Sequence, residues 1–441
     1  MAKHYNPARD VFRSRFGFIM ACIGSAVGMG NIWLFPYRVG EFGGFAFLVP
    51  FFIFELALGF CGVMGEMAFG RAMRTGPTGA FKKALARRGK RGGEVLGILP
   101  LVGALGIAIG YTVIVGWVLR FLWGALSGTM FGQEAGAYFG EISGPFGSIG
   151  WHIVAIVITF IIMNAGIAAG IERASKIIMP VFFLLFVGLA IFVSTIPGAE
   201  SGYAFLFDPD WAALAKPETW VYALGQAFFS LSLAGSGTIV YGSYLREDTD
   251  IVFSGACVFI FDLIASILIA LVIIPAVFAF GADPQSGPPL IFIVLPSIFA
   301  QAPQGQFLAI VFFVAVFFAG ITSLVNLFEC PIEALQERFE VKRHTACAIV
   351  LGLAFVVGIF LENAAVIGGW MDLFSIYIMP VGALLAGILF FWVCGKDFAA
   401  EEINRGSNFK VGATIAGLGR YVYCGVTILV LLLGILLGGI G

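Results

Sequence analysis

The sequence predicts an all-α polytopic membrane protein, and two observations support this fold class. Hydrophobic residues make up 60% of the 441 residues, charged residues make up 12%, and the mean hydropathy is +1.00. A soluble globular chain carries about 25% charged residues. Apolar segments long enough to cross a bilayer, about 20 residues each, also recur along the whole chain. No Pro/Ser-rich linker separates them, so we expect one domain over residues 1–441.

Eleven membrane spans are predicted from these apolar segments, and they are numbered here in chain order. Several exceed 25 residues and are expected to tilt or to extend beyond the bilayer. The predicted limits are 14–38, 43–70, 95–125, 150–169, 173–195, 219–243, 252–280, 305–337, 345–361, 367–394 and 418–440.

Lysine and arginine are distributed unevenly between the two sides of this arrangement. They occur in the N-terminal tail and after the even-numbered spans, whereas residues 121–172 and 281–304 contain none. Positive charge accumulates on the cytoplasmic side. We therefore expect an integral membrane protein, in contact with lipid, with its N-terminus in the cytoplasm and its C-terminus outside. No cleavable signal peptide is expected.

Two spans contain glycine-rich interruptions. Span 1 contains "GSAVGMGN" at 24–31, and span 6, five spans later, contains "SLSLAGSG" at 230–237. A repeat of five spans forces its second copy to be inverted, so we predict inverted repeats at 9–195 and 217–394 and an additional helix at 418–440. Broken spans at matching positions indicate a transporter binding site. Close helix packing through GxxxG is the alternative for span 1.

Acidic residues inside predicted spans include Glu55, Glu66 and Asp262, and charge at this depth is costly. Glu66 in span 2 is expected to hold backbone N–H groups that a helix break sets free. Asp262 in span 7 has no basic residue near it in the sequence. A buried carboxylate without a protein cation needs a proton or a metal cation, and its oxygens suit a hard ion such as sodium. A protonated packing residue is the alternative for Asp262. Glu55 receives no assigned role.

Span 8 offers hydroxyl groups within "FFAGITSLVN". Thr322 and Ser323 lie one turn beyond the Ala319 carbonyl, and with the Gly24 and Val27 carbonyls they would complete an oxygen cage, although hydroxyls also bond to their own helix. The three histidines and seven cysteines show no metal-ligand spacing, so the cysteines are expected to be packing residues. No basic, aromatic-rich patch indicates nucleic acid.

Several motifs together resemble the neurotransmitter:sodium symporter family, in particular its bacterial amino-acid transporters of leucine-transporter fold. The motifs are "GSAVGMGNIW" with "FPY" in span 1, "GQAFFSLSL" and "YGSYL" in span 6, "FFAGITS" in span 8 and "EEINRG" after span 10. The resemblance covers about residues 9–440. It implies two sodium sites, with Ala26, Asn31, Ser230 and Asp262 at the first and Gly24, Val27, Ala319, Thr322 and Ser323 at the second.

The resemblance also implies a substrate site at the two breaks. The substrate carboxylate would meet the N–H groups near Gly28 and Gly30 and the Tyr111 hydroxyl, with Phe229 as an aromatic lid. The complete implied set of substrate-binding residues is Ala26, Gly28, Met29, Gly30, Ile107, Tyr111, Phe229, Ser230, Ser232, Gly235, Ser323 and Leu327.

Gating residues follow from the same resemblance. The cytoplasmic gate would comprise Arg9, Ser243, Tyr244, Glu329 and Glu337. The segment from Gly170 to Pro180 matches a glycine-x9-proline pattern that can unwind and admit water to the inner sodium.

Three departures from the family pattern are informative. Leu34 occupies the usual position of the outer-gate arginine, so we expect Arg38 to reach Asp372 instead. Phe51 replaces the tyrosine that chloride-dependent members use, and with the fixed charge of Asp262 this predicts chloride independence. Gly235 replaces a bulky aromatic residue, which predicts room for a large side chain.

The resulting hypothesis is a sodium-coupled symporter, not an enzyme, that imports a large hydrophobic or aromatic L-amino acid by alternating access. An ion channel would be expected to show a filter motif, which the sequence lacks. A non-transporting amino-acid receptor and a sodium-independent exchanger of the same fold are further alternatives, and the retained sodium-site residues disfavour both.

Overall fold

The computed structural model describes residues 11–284, 290–302 and 304–439, and this part of the chain is helical with no β-strand. Long apolar segments form helices because a helix satisfies its own backbone hydrogen bonds inside lipid. Eight described helices are long and apolar enough to cross a membrane: Gly44–Met73, Gly93–Ser127, Ile167–Val193, Ile251–Ala279, Gly305–Phe339, Arg343–Leu361, Ala364–Val393 and Gly412–Leu437.

The remaining predicted spans are interrupted or short. Span 1 consists of Arg15–Ala26 and Met29–Glu41, which are bent by 50° and count as a ninth crossing if taken together. Span 4 is the shorter helix Ile149–Asn164, and span 6 consists of Pro217–Ser230 and Gly237–Ser243. The count of eleven spans and the inverted repeat stay predictions, because length and composition establish only nine crossings in the described residues.

Shorter helices connect the spans at both ends of the bundle. The connecting helices are Pro77–Ala86, Ala135–Ile142, Ala199–Phe207, Leu290–Gln301 and Lys396–Asn404. Two 3-10 turns, Thr129–Phe131 and Trp211–Ala215, also connect spans.

The spans pack in two groups. Spans 3, 4, 8 and 9 contact one another, and span 8 runs along span 3. Both halves of span 6 pack on span 2, while span 1 contacts spans 5, 7 and 8. The two breaks therefore face each other where the groups meet, at the centre of the bundle. All seven cysteines are free thiols, as expected for packing residues.

A buried ion pair fastens the inner end of span 2. Arg71 donates from Nε to Glu402 Oε1 at 2.7 Å, and both side chains are almost fully buried. The same guanidinium donates to the Thr249 carbonyl at 2.6 Å and the Arg405 carbonyl at 3.2 Å, and also to the Glu402 carbonyl. One arginine thus joins span 2 to the loop before span 7 and to the helix that carries "EEINRG".

We expect Arg71→Leu to destabilise the protein strongly, because it leaves Glu402 buried without its cation, a change that costs about 3–5 kcal/mol. The thermal unfolding midpoint of the purified protein measures this. Arg246→Gln is the matched control, since Arg246 and its partner Asp248 are both exposed and an exposed pair contributes at most about 1 kcal/mol. Equal midpoints for the two variants would contradict this assignment.

Candidate functional site

The break in span 1 is satisfied by side chains. The helix ends at Ala26 and begins again at Met29, with Gly28 extended between the halves. The Gly28 N–H donates to Asn31 Oδ1 at 3.1 Å. The Ser25 carbonyl accepts a hydrogen bond of 2.7 Å from the Ser232 hydroxyl, which belongs to the other break. Backbone groups that helix interruption sets free are costly in an apolar interior unless they are paired in this way.

The break in span 6 depends on Glu66. Gly235 there adopts a φ of 65°, which favours glycine, and its N–H donates to Glu66 Oε1 at 2.8 Å. The Tyr423 hydroxyl in span 11 donates to the same oxygen at 3.1 Å. Glu66 thus lies where the sequence predicts it, on a freed N–H group, and Tyr423 is a partner that the sequence did not indicate.

A cavity lies between the two breaks. Ten of the twelve residues that the family resemblance assigned to the substrate site line this cavity. These are Ala26, Gly28, Gly30, Ile107, Tyr111, Phe229, Ser230, Ser232, Ser323 and Leu327.

The other two assigned residues do not line this cavity, and this corrects the expectation. A Cβ at Gly235 would meet the Gly382 carbonyl and Ala386, so the direction in which a side chain would point from Gly235 is toward span 10. Gly235 therefore supplies no room for a substrate side chain. The Met29 sulfur lies toward Gly320 of span 8, because successive helical residues point about 100° apart.

Sequence reasoning missed four residues that line the cavity: Ser25, Ala234, Asn326 and Met379. Asn326 follows Ser323 by three positions and precedes Leu327, so helical periodicity gives a signal for it. Ala234 and Ser236 flank Gly235. Met379 comes from span 10, where no motif singled it out.

Asp262 forms the centre of a buried polar cluster beside the cavity. It accepts hydrogen bonds from the Ser230 hydroxyl at 2.6 Å and from Asn31 Nδ2 at 3.0 Å. The Glu55 carboxyl is buried near Asp262, and neither of its oxygens has a hydrogen-bond partner among the described residues. No lysine, arginine or histidine in the described part of the chain forms an ion pair with Asp262. The donor set is therefore anionic and rich in oxygen, which suits a hard cation.

The residues present fit a sodium ion at this cluster. Asp262, the Ser230 hydroxyl and the Ala26 carbonyl would hold it. Asn31 directs Nδ2 toward Asp262 and also toward Ser266, at 2.9 Å. To act as a ligand, its amide must turn so that the oxygen faces the cation.

Four of the five residues of the second predicted set, Gly24, Ala319, Thr322 and Ser323, also lie close together. Ser323 Oγ approaches the Gly24 carbonyl at 3.5 Å, and a Cβ at Gly24 would touch Thr322. The Thr322 hydroxyl donates to the Ala319 carbonyl at 3.1 Å. Val27 ends the first half of span 1, with a ψ of 80° that leaves the helix. These oxygens, from spans 1 and 8, form a second candidate position for a cation.

The end of the bundle that the sequence predicts to be cytoplasmic is closed by an ionic cluster. The Tyr244 hydroxyl donates to Glu329 at 2.8 Å, and Arg343 donates to both oxygens of Glu329 at 2.9 and 2.6 Å. Arg343 was not predicted for this gate. Glu337 accepts from the Thr75 hydroxyl. Ser243 ends the inner half of span 6, and its hydroxyl bonds to the Val240 carbonyl. Arg9 lies outside the described residues.

The end of the bundle that the sequence predicts to face outward differs from the expectation. Arg38 pairs with Glu41 at 3.0 Å, and its guanidinium lies 3.9 Å from the Tyr222 ring centroid. No ion pair joins Arg38 to Asp372 among the described residues, so the expected gate pair is not formed in this structure. Glu41 competes successfully because it lies one turn along the same helix.

A helical bundle with two broken spans, oxygen-rich clusters at the breaks and a cavity between them defines a membrane transporter. The chain belongs to the sodium:neurotransmitter symporter family, whose model matches residues 9–141 and 138–437. It is thus an integral membrane protein of a sodium-dependent transporter family rather than an enzyme.

Two prokaryotic relatives match this chain along most of their own length. An uncharacterized sodium-dependent transporter of Bacillus subtilis, YhdH, is 35% identical over 90% of this chain and 90% of its own length. The uncharacterized sodium-dependent transporter MJ1319 of Methanocaldococcus jannaschii is 30% identical over 92% of this chain and 86% of its own. The crystal structure of MhsT in complex with L-phenylalanine matches with a TM-score of 0.86 and 32% identity, covering 96% of this chain and 99% of MhsT.

We expect Asp262→Asn to raise the sodium concentration needed for half-maximal thermal stabilisation by about tenfold or more. The substitution removes the negative charge of the carboxylate that Ser230 and Asn31 hold in place, and this charge would attract the cation. A sodium titration of the unfolding midpoint measures this. Asp397→Asn, at an exposed position, is the control. An unchanged sodium dependence in Asp262→Asn would contradict the role assigned to this carboxylate.

Proposed function

We propose that this protein is a sodium-coupled secondary active symporter that imports a large hydrophobic or aromatic L-amino acid by alternating access, independently of chloride. Its proposed location is a prokaryotic inner membrane, with the N-terminus in the cytoplasm and the C-terminus outside. The observation that carries the proposal is the single cavity lined by both helix breaks, with the Asp262 cluster at its edge.

An amino-acid backbone suits the polar end of the cavity. The second half of span 1 begins at Met29, and the N-terminus of a helix attracts a carboxylate. The Tyr111 hydroxyl lines the same cavity and offers a further donor. A substrate carboxylate held here would lie beside Ser230 and Ala26, where it completes the first sodium site. Sodium and substrate would then strengthen each other's binding, because each supplies charge that the other needs.

The other walls of the cavity are apolar. Ile107, Phe229, Leu327 and Met379 line this part of the cavity, and an apolar lining suits a hydrophobic side chain. Gly235 faces elsewhere and gives no argument for the size of that side chain. The similarity to MhsT, solved with L-phenylalanine, supports an aromatic substrate.

Two sodium sites would supply the driving force. Each positive charge that crosses the membrane contributes about 2.3 kcal/mol per 100 mV. The Glu329 cluster closes the cytoplasmic side in this structure, and a transport cycle would open it after the outer side closes over Phe229.

We expect a thermal-shift screen of the twenty L-amino acids to give sodium-dependent stabilisation by aromatic or large aliphatic members. A ligand at 100 times its Kd contributes about 2.7 kcal/mol, which raises the unfolding midpoint measurably. Potassium in place of sodium is the matched control. If no amino acid stabilises the protein in sodium, the proposed function is wrong. Stabilisation by small or charged amino acids alone would overturn the substrate class.

We expect uptake to persist when chloride is replaced by gluconate, because Asp262 supplies the negative charge that chloride provides elsewhere in the family. Phe51 packs on Phe35 with ring centroids 4.9 Å apart and has no hydroxyl to offer an anion. Uptake of the stabilising amino acid into proteoliposomes, measured in both salts, tests this. Loss of most uptake in gluconate would show that chloride is required.

A further inference from the structure

Glu172 is a buried carboxylate that the sodium and substrate sites do not use. It accepts hydrogen bonds from the Arg13 N–H at 2.7 Å, the Ser14 N–H at 3.1 Å and the Ser14 hydroxyl at 2.8 Å. The Ser14 hydroxyl in turn accepts from the Gly17 N–H at 3.0 Å. Glu172 therefore completes the cap on the first turn of span 1, where backbone donors have no helical partner.

The same carboxylate lies at the start of span 5. Glu172 ends the π-helical turn Ile167–Glu172 and precedes the helix Arg173–Val193. It pairs with Lys176, one turn further, at 2.5 Å. One side chain thus caps the first turn of span 1 and pairs with a lysine near the start of span 5.

The start of span 5 is a helical segment whose backbone hydrogen bonding is irregular. It begins after Gly166, whose φ is 89°. The π-helical turn that follows departs from the regular hydrogen-bond pattern. Pro180 lacks an N–H, so the carbonyl of Lys176 has no helical donor. Such segments open at low free-energy cost compared with regular buried helix.

This weak segment covers the second candidate cation position. The Met179 sulfur lies 3.1 Å from where a Cβ on Gly24 would be, and Gly24 also touches Thr322. Movement of Met179 away from span 1 would uncover this position.

We propose that Glu172 is a positioning residue that ties the start of span 1 to the start of span 5, so that both segments open together on the cytoplasmic side. This proposal rests on the proposed alternating-access transport. Loss of the Glu172 contacts removes the cap of span 1 and breaks the ion pair with Lys176 in one step. Opening of either segment is thereby linked to opening of the other.

Gly17 provides an independent way to break the link. A Cβ at Gly17 would overlap the Glu172 side chain. Gly17→Ala therefore displaces the carboxylate without changing its charge, whereas Glu172→Gln removes the charge and keeps the shape. Glu94→Gln is the matched control, because Glu94 is a cytoplasmic-side carboxylate that pairs with Lys82 and Arg338 at 3.0 and 3.4 Å, away from span 1.

Hydrogen exchange of the purified full-length protein, followed by mass spectrometry in sodium without substrate, tests the link. We expect residues 11–20 and 166–180 to exchange about tenfold faster or more in both Glu172→Gln and Gly17→Ala, and at the wild-type rate in Glu94→Gln. Acceleration of only one segment, or of neither, would overturn the proposal. Faster exchange throughout the chain would show a general structural role instead. If Glu172→Gln does not fold, Gly17→Ala alone decides.

A second measurement separates this inference from the proposed function. Cys22 is buried in the inner half of span 1, so its modification rate reports opening once the other six cysteines are replaced. We expect faster modification in Glu172→Gln in sodium, whether or not an amino acid binds. If no amino acid changes the modification rate of Cys22 in the wild type, the proposed transport fails. If modification is unchanged in the variant, the Glu172 link fails.

Discussion

The arrangement at the centre of this protein depends on the cost of unpaired backbone groups inside a membrane. Each N–H or C=O group that a broken helix exposes there costs several kcal/mol unless it finds a partner. Asn31 and Glu66 pair with the N–H groups of Gly28 and Gly235, and Ser232 links its own break to the Ser25 carbonyl of the other. The two breaks therefore stabilise each other, and polar groups converge at one place in an otherwise apolar bundle.

The buried negative charge of Asp262 lies at the same place as the two breaks. Asp262 is buried among Ser230, Asn31 and the carboxyl of Glu55, with neutral hydrogen bonds but no basic partner in the described chain. A buried carboxylate is strongly destabilising until a cation compensates it. Binding of sodium would satisfy this need, and a substrate carboxylate would share the same cation. The geometry of the break and the electrostatics of the site thus favour the same coupling.

Much of this could be predicted from the sequence, because its signals are local. Glycine runs and buried acids stand out within apolar segments, so both breaks, Asp262 and the Thr322–Ser323 pair were evident. The direction in which Gly235 faces could not be predicted, because it depends on the backbone of span 10 that packs against it. The partner of Arg38 likewise depends on a choice between Glu41 and Asp372 that only the packed structure decides. Glu172 and Arg343, near basic loops, resembled solvated surface charges until the fold buried or paired them.

The most direct test of sodium-coupled transport is uptake of a labelled amino acid into proteoliposomes containing only this protein. With an inward sodium gradient, the account predicts accumulation above the outside concentration, and collapse of that accumulation when sodium is equalised across the membrane. Binding without accumulation, or accumulation that is the same with potassium in place of sodium, would contradict it.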